Sequence, residues 1–118
     1  MQNAETDLGE RTKQFARRII RLYVALPKQT LPQVLGKQVL RSGTSIGANY
    51  REARRGRSKA EFICKIGDFL KEADETAYWL ELLAEENIVP QARLESLLKE
   101  INELIAILVT ISKRSRGD

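Results

Sequence analysis

Arginine side chains are the residues of this sequence best suited to bind a ligand. A planar guanidinium donates two parallel hydrogen bonds to a phosphate, so clustered arginines favour contact with a phosphate backbone. Two clusters occur in the first half of the chain. They are Arg17, Arg18 and Arg21, and Arg51, Arg54, Arg55 and Arg57. The second cluster also suits the carboxyl end of a helix, where cations offset the helix dipole, and both roles are open for it.

The side chains that most often perform catalysis or bind metals are missing or lack partners. The sequence has no histidine, which removes the commonest general base and metal ligand. Glu72, Glu75 and Glu81 therefore cannot form the Glu-x-x-His pairs of di-iron bundles, and we expect an acidic surface there. Cys64 lies within an apolar repeat and is expected in the core. Residues 43–47 lack the spacing of a phosphate-binding loop. We expect no enzyme active site, cofactor or metal.

Residues 36–56 form parallel stripes when they are placed on a helix at about 100° per residue. One flank of the central apolar stripe consists of small residues, Gly36, Gly43 and Gly47. The other flank is polar and consists of Arg41, Ser45, Asn49 and Glu52. Because each glycine costs roughly 1 kcal/mol in a helix, the glycine flank predicts close approach of another backbone.

The polar flank has two interpretations. It can be a buried network that fixes the register of two helices, or it can be a ligand site. Its place beside the apolar stripe favours the network. In that interpretation Asn49 is buried among hydrogen-bonding partners, which would be left unpaired if its amide were removed.

Apolar residues at helical spacing predict four helices. We expect them at about residues 5–26, at 31–56, at 58–87 and from Pro90 onward, followed by a polar tail over residues 113–118. Ser58 and Glu61 have the spacing of a capping box. The third helix carries a heptad-like seam of Ile63, Ile66, Leu70, Ala73, Ala77, Leu80 and Ala84. Short connections between four helices predict an all-α, up-down-up-down four-helix bundle, one domain of residues 1–118.

Charge is unevenly distributed along the 118 residues, whose net charge is +4. Residues 31–57 contain six basic and one acidic side chain, whereas residues 58–87 contain three basic and eight acidic. The two segments can attract each other, or the first can form a basic surface for nucleic acid. No apolar run approaches the ~20 residues that span a bilayer. The amino terminus does not resemble a signal peptide, and we expect a cytoplasmic protein.

Apolar surface on the fourth helix exceeds what one small bundle core requires. Its band includes Leu94, Leu97, Leu98, Ile101, Leu104, Ile105, Leu108 and Ile111. Together with the glycine flank of the second helix, this surplus predicts a homo-oligomer.

The segment Arg41-Ser-Gly-Thr-Ser-Ile-Gly-Ala-Asn-Tyr-Arg-Glu-Ala53 resembles the signature of the 23S ribosomal RNA intervening-sequence protein family. A second block, residues 71–83, is similar to a later block of that family, in which Glu72, Glu75 and Leu80 match. Tyr50 stands where isoleucine is more usual. The resemblance implies a cytoplasmic four-helix bundle that assembles as a homopentamer. It also implies kinship with the accessory variability protein of diversity-generating retroelements, which binds nucleic acid and a reverse transcriptase.

These observations lead to two functional hypotheses. The first is a non-enzymatic, homo-oligomeric bundle that binds RNA or DNA non-specifically as an accessory factor, with arginines of the first two helices contacting phosphates. The second is a structural adaptor whose ligand is another protein, bound through the acidic third helix.

Overall fold

Four long helices account for almost all of the structure, which is a computed structural model. It describes residues 4–117, and the side chains of residues 8–117. The helices are α1 (Ala4–Ala25), α2 (Thr30–Arg54), α3 (Lys59–Glu85) and α4 (Gln91–Arg116). The described residues contain no strand. The predicted all-α, up-down-up-down bundle is confirmed. The predicted domain of residues 1–118 also includes residues 1–3 and 118, which lie outside the described part.

The helix ends follow local chemistry. α1 ends just before Pro27, because the residue preceding a proline is pushed out of the helical region. The Ser58 Oγ accepts a hydrogen bond from the Glu61 backbone N–H at 3.1 Å and begins α3. Asn87, at φ 57°, lies just beyond α3, and asparagine tolerates this left-handed conformation better than most residues.

The carboxyl end of α4 differs from the sequence prediction. Residues 113–116 continue the helix instead of forming a polar tail, and Gly117 then adopts a left-handed conformation with φ 82°. A glycine in this conformation satisfies the last carbonyls of a helix. The Gly117 backbone N–H donates to the Arg114 carbonyl at 3.1 Å. The cations of the last turn also favour helix continuation, because they face the negative end of the helix dipole.

Helices that are consecutive in sequence pack against each other, and α1 and α4 close the bundle at a more distant contact. The buried row of α3 comprises Ile66, Phe69, Ala73, Thr76, Leu80 and Leu83. Only Ile66, Ala73 and Leu80 of the predicted seam are fully buried. The prediction was wrong at its other members, which are only half-buried: Ile63, Leu70, Ala77 and Ala84. Phe69 and Leu83 bury more apolar surface than the alanines do, so the core-facing row follows them. Cys64, predicted in the core, is exposed on the outer side of α3.

The glycine flank of α2 faces α1 of the same chain. A Cβ atom at Gly43 would lie 2.9 Å from the Ile19 Cγ1, and one at Gly36 would collide with the Leu26 Cδ1. A Cβ atom at Gly47 would lie 3.3 Å from the Thr12 Oγ1. The close approach therefore lies within one chain, and the glycine flank does not contribute spare surface for self-association.

Hydrogen bonding between α2 and α3 centres on two buried hydroxyls. Ser42 and Thr76 are completely buried, their hydroxyl oxygens lie 2.8 Å apart, and the Thr76 Oγ1 also donates to the Glu72 carbonyl oxygen at 2.8 Å. Asn49 is only half-buried. The expectation that Asn49 belongs to a buried network was therefore wrong, because α2 turns the Ser42 face towards α3 and leaves the Asn49 face at the edge of the contact.

We expect Gly43→Ala to lower the free energy of unfolding by up to about 2 kcal/mol. The added methyl group overpacks the contact with buried Ile19, which outweighs the roughly 1 kcal/mol gained in helix propensity. Gly67→Ala is the matched control, since Gly67 lies in α3 with no neighbouring atom within 4 Å of an added Cβ. The control should gain about 1 kcal/mol in urea unfolding. Stabilisation by both substitutions would contradict a close α1–α2 contact.

We expect Thr76→Val to cost about 1–2 kcal/mol of stability, because it removes a hydroxyl at nearly constant volume and leaves the buried Ser42 hydroxyl underpaired. Asn49→Ala should change the free energy of unfolding by no more than about 0.5 kcal/mol, as surface substitutions usually do. Chemical denaturation of both variants measures this difference. A larger loss of stability for Asn49→Ala than for Thr76→Val would show that the register between α2 and α3 depends on the Asn49 side-chain amide.

Candidate nucleic-acid interface

Three helix ends meet at one end of the bundle. Residues 55–58 join the end of α2 directly to the start of α3, and antiparallel packing brings the last turn of α4 to the same end. We call this surface the basic end. It comprises Arg51, Arg54, Arg55, Arg57, Lys59, Lys113, Arg114 and Arg116. The amino-terminal part of α1 is also close, since a Cβ atom at Gly9 would lie 3.6 Å from the Arg54 Nη1.

The cations of α4 were missed as candidate site residues because residues 113–118 were interpreted as a polar tail. Their signal was present in the sequence. An up-down-up-down bundle places the carboxyl ends of its second and fourth helices together, and both segments end in basic residues.

Two other arginines are engaged between helices. The Arg11 guanidinium forms a bidentate pair with the Glu100 carboxylate, with Nη2–Oε1 and Nε–Oε2 distances of 2.7 and 3.0 Å, and so connects α1 to α4. Arg41 connects α2 to α3, with its Nη1 3.2 Å from Glu72 and its Nη2 2.8 Å from Glu75. The hydrogen bond that Arg41 donates to the Glu75 carboxylate is the main reason that the pKa of Arg41 is raised. These two arginines have a structural role.

Two further members of the predicted polar flank also have polar partners, Glu52 across the α2–α3 contact and Ser45 within α2. The Glu52 carboxylate lies 2.8 Å from the Lys65 Nζ, and this hydrogen bond is the main cause of a raised Lys65 pKa. The Ser45 hydroxyl donates to the Arg41 carbonyl oxygen at 2.7 Å. The flank therefore forms the exposed rim of the α2–α3 contact.

The arginines at the end of α2 differ from Arg11 and Arg41. Arg51, Arg55 and Arg57 are exposed, and none of their guanidinium groups forms an ion pair with a described residue. Arg54 lies over the Tyr50 ring, with its Cζ 5.9 Å from the centroid, a cation–π contact that leaves its charge uncompensated.

Two nearby carboxylates among the described side chains are already occupied by other groups. Glu52 pairs with Lys65, and the Glu61 carboxylate accepts the Arg57 backbone N–H at 2.6 Å. The surplus positive charge of the basic end therefore faces solvent, where it can attract anions.

The arginines of α1 are separated from this surface. Arg17 and Arg21 are exposed, whereas Arg18 is half-buried and donates to the Ser96 Oγ at 2.6 Å. At about 1.5 Å per residue, Arg17 lies about 12 Å along the helix from Gly9, the position next to Arg54. The structure thus divides the predicted arginine set into two surfaces.

The described residues offer little else that could bind a ligand by charge or coordination. No group of three or more cysteine, aspartate or glutamate side chains among them has an arrangement that could hold a metal ion. None of the helices, over its described length, combines the length and hydropathy needed to cross a membrane. The arrangement at the basic end suits contact with phosphates, which carry the complementary charge and accept bidentate hydrogen bonds from arginine.

Comparisons with known proteins support the resemblance seen in the sequence. The family described as 23S rRNA-intervening sequence protein matches residues 5–110. A crystal structure of a protein of unknown function from the S23 ribosomal protein family of Bacteroides thetaiotaomicron is 41% identical and superposes with a TM-score of 0.85. The match covers 92% of this chain and 97% of that chain. No curated protein matches. The chain belongs to the 23S rRNA-intervening sequence protein family.

Proposed function

We propose that this chain is a non-enzymatic, homo-oligomeric accessory protein that binds the phosphate backbone of RNA or DNA through the basic end. The observation that carries the proposal is the set of exposed arginines at positions 51, 55 and 57, which have no ion-pair partner among the described residues. Arginines without carboxylate partners are available to replace the counterions condensed on a nucleic acid.

The helix dipole is too small to account for this much charge. Each helix carboxyl end is equivalent to about half an elementary negative charge, so α2 and α4 together present about one. The amino ends of α1 and α3 lie at the same end of the bundle and have the opposite sign. The cations of the basic end therefore exceed what the helix ends require, which favours a ligand over a purely local role.

Assembly would multiply weak contacts. In a ring of several copies, five if the family resemblance holds, each basic end presents the same arginines to one polymeric ligand. When several basic ends bind one nucleic acid at the same time, the affinity rises, because the first contact raises the effective concentration of the nucleic acid for the others. No base-specific contact is required. Contacts to phosphates position a protein on nucleic acid but do not read its sequence. The proposed binding is therefore insensitive to sequence and strongly dependent on salt.

Removal of three arginines should weaken binding and reduce its salt dependence. We expect Arg51→Ala, Arg55→Ala and Arg57→Ala, combined in one variant, to lower affinity for labelled RNA and duplex DNA on the order of tenfold or more. The slope of log K against log salt concentration should decrease in magnitude by about 2–3 for each engaged protomer, because each phosphate contact contributes about 0.9. Fluorescence anisotropy across a salt series measures both quantities.

The control variant combines Lys28→Ala, Lys37→Ala and Lys99→Ala, which removes the same charge from exposed positions away from the basic end. It should retain most of the affinity and the slope. Equal losses in the two variants would indicate general attraction by net charge and contradict a defined interface. If the unmodified protein does not bind at low salt, the proposal is wrong and the adaptor hypothesis gains support.

A further inference from the structure

Exposed apolar side chains are concentrated in two places. Six large hydrophobic residues are exposed in the described part of the chain, and five of them belong to these two groups. Two lie on α1 and three on α2 and α3. Scattered single apolar residues are normal on a protein surface, but contiguous groups indicate an interaction site. The spatial grouping therefore requires an explanation.

The first group lies on the outer side of α1. Val24 is 65% exposed and Ile20 45%, and they stand four residues apart, one above the other on one helix face. Arg17 and Arg21 flank them on the same face, and both are exposed. We call these four residues the α1 stripe. It points away from the core, since Ile19 and Leu26 on the opposite side of α1 are buried.

The second group lies on the neighbouring helices α2 and α3, on the side of the Arg41–Glu75 ion pair that leads to the amino end of α2 and the carboxyl end of α3. Leu31, Val34 and Tyr78 are each slightly more than half exposed. The Tyr78 ring packs edge-on against the ring of Trp79, with centroids 5.1 Å apart. We call this group the α2–α3 patch; its members are Leu31, Val34, Tyr78 and Trp79.

Three acidic side chains and one lysine, Lys71, share the exposed face of α3 with Tyr78. The three acidic residues are Asp74, Glu81 and Glu85, and all of them are exposed. None of the three forms an ion pair with a described residue. The Trp79 Nε1 is a buried donor without a described acceptor, which a folded protein rarely leaves unsatisfied. The patch thus has exposed apolar surface and neighbouring carboxylates without ion-pair partners among the described residues.

We infer that the α1 stripe of one copy of this chain docks on the α2–α3 patch of the next copy. An apolar pair flanked by arginines matches an apolar patch flanked by carboxylates, and such complementarity selects partners and steers association. One chain cannot make this contact with itself, because the α1 stripe faces away from the bundle and α1 does not contact α3.

The two surfaces are different, so the contact is heterologous and generates a ring or a filament instead of an isologous dimer. The inference rests on the self-association included in the proposed function and identifies the surfaces that produce it. It also reassigns Arg17 and Arg21 from nucleic-acid contact to the subunit interface. Phosphate binding then depends on the basic end, which stays outside this interface.

Two double variants test the contact. One carries Ile20→Glu and Val24→Glu, which places negative charge opposite the acidic patch. The other carries Val34→Glu and Tyr78→Glu, which removes the apolar surface of the patch. All four positions are exposed, so the fold should be retained, as circular dichroism can verify. In sedimentation analysis each variant alone should shift from the wild-type assembly to a species near the chain mass of 13.4 kDa.

An equimolar mixture of the two variants is the decisive sample. Each variant keeps one intact surface, so the mixture should form a 1:1 dimer of about twice the chain mass, whereas an isologous contact would give no recovery. Val109→Glu, at an exposed apolar position outside both surfaces, is the control and should leave the assembly unchanged. A monomeric wild-type protein, variants with wild-type mass, or a mixture that stays monomeric would each overturn the inference.

The same samples separate this inference from the nucleic-acid proposal. The interface variants should keep the affinity of a single protomer for a short labelled duplex while losing the assembly. The triple variant that lacks the arginines at positions 51, 55 and 57 should keep the mass of the assembly but lose its affinity for the duplex. Failure of either expectation therefore identifies which proposal is wrong.

Discussion

The contact between α1 and α2 is the constraint on which the rest of the bundle depends. Gly36, Gly43 and Gly47 allow side chains of α1 to approach the α2 backbone more closely than a Cβ atom would permit. This contact fixes which face of α1 is buried. It therefore also fixes that Ile20 and Val24 face outward, and that the amino-terminal part of α1 lies beside the last turn of α2.

Arginine has two distinct physical roles in this structure. Arg11 and Arg41 extend across helix–helix boundaries to carboxylates and hold neighbouring helices together. Ion pairs that remain partly open to solvent contribute about 1 kcal/mol or less each, so we assign these pairs mainly to fixing the register of the helices. The guanidinium groups of Arg51, Arg55 and Arg57 at the basic end have no carboxylate partner among the described residues, and they lie where helix ends meet. The same side chain is structural in one place and available to a ligand in the other because its neighbours differ.

The proposed assembly and the proposed ligand binding use separate surfaces and are therefore compatible. A subunit interface built on the α1 stripe and the α2–α3 patch leaves the basic end exposed on each copy. In the proposed assembly, repetition of that end would present many cations to one polymer, which suits a phosphate backbone of uniform charge. Family membership agrees with a bundle of this kind but does not assign it a ligand, since the similar Bacteroides protein is itself of unknown function.

The sequence by itself determined the positions of the four helices, apart from the end of α4, and the periodicity that aligns three glycines, because these depend on spacing along one helix. Short connections determined the bundle topology, and two sequence blocks indicated the family. Tertiary structure decided which hydroxyls are buried together, which arginines find carboxylates and where Lys113 and Arg114 lie. Ser42 and Thr76 are 34 residues apart, and Arg11 and Glu100 are 89 apart. Pairing over such separations depends on the rotation of each helix about its own axis, which is set by packing against all its neighbours at once.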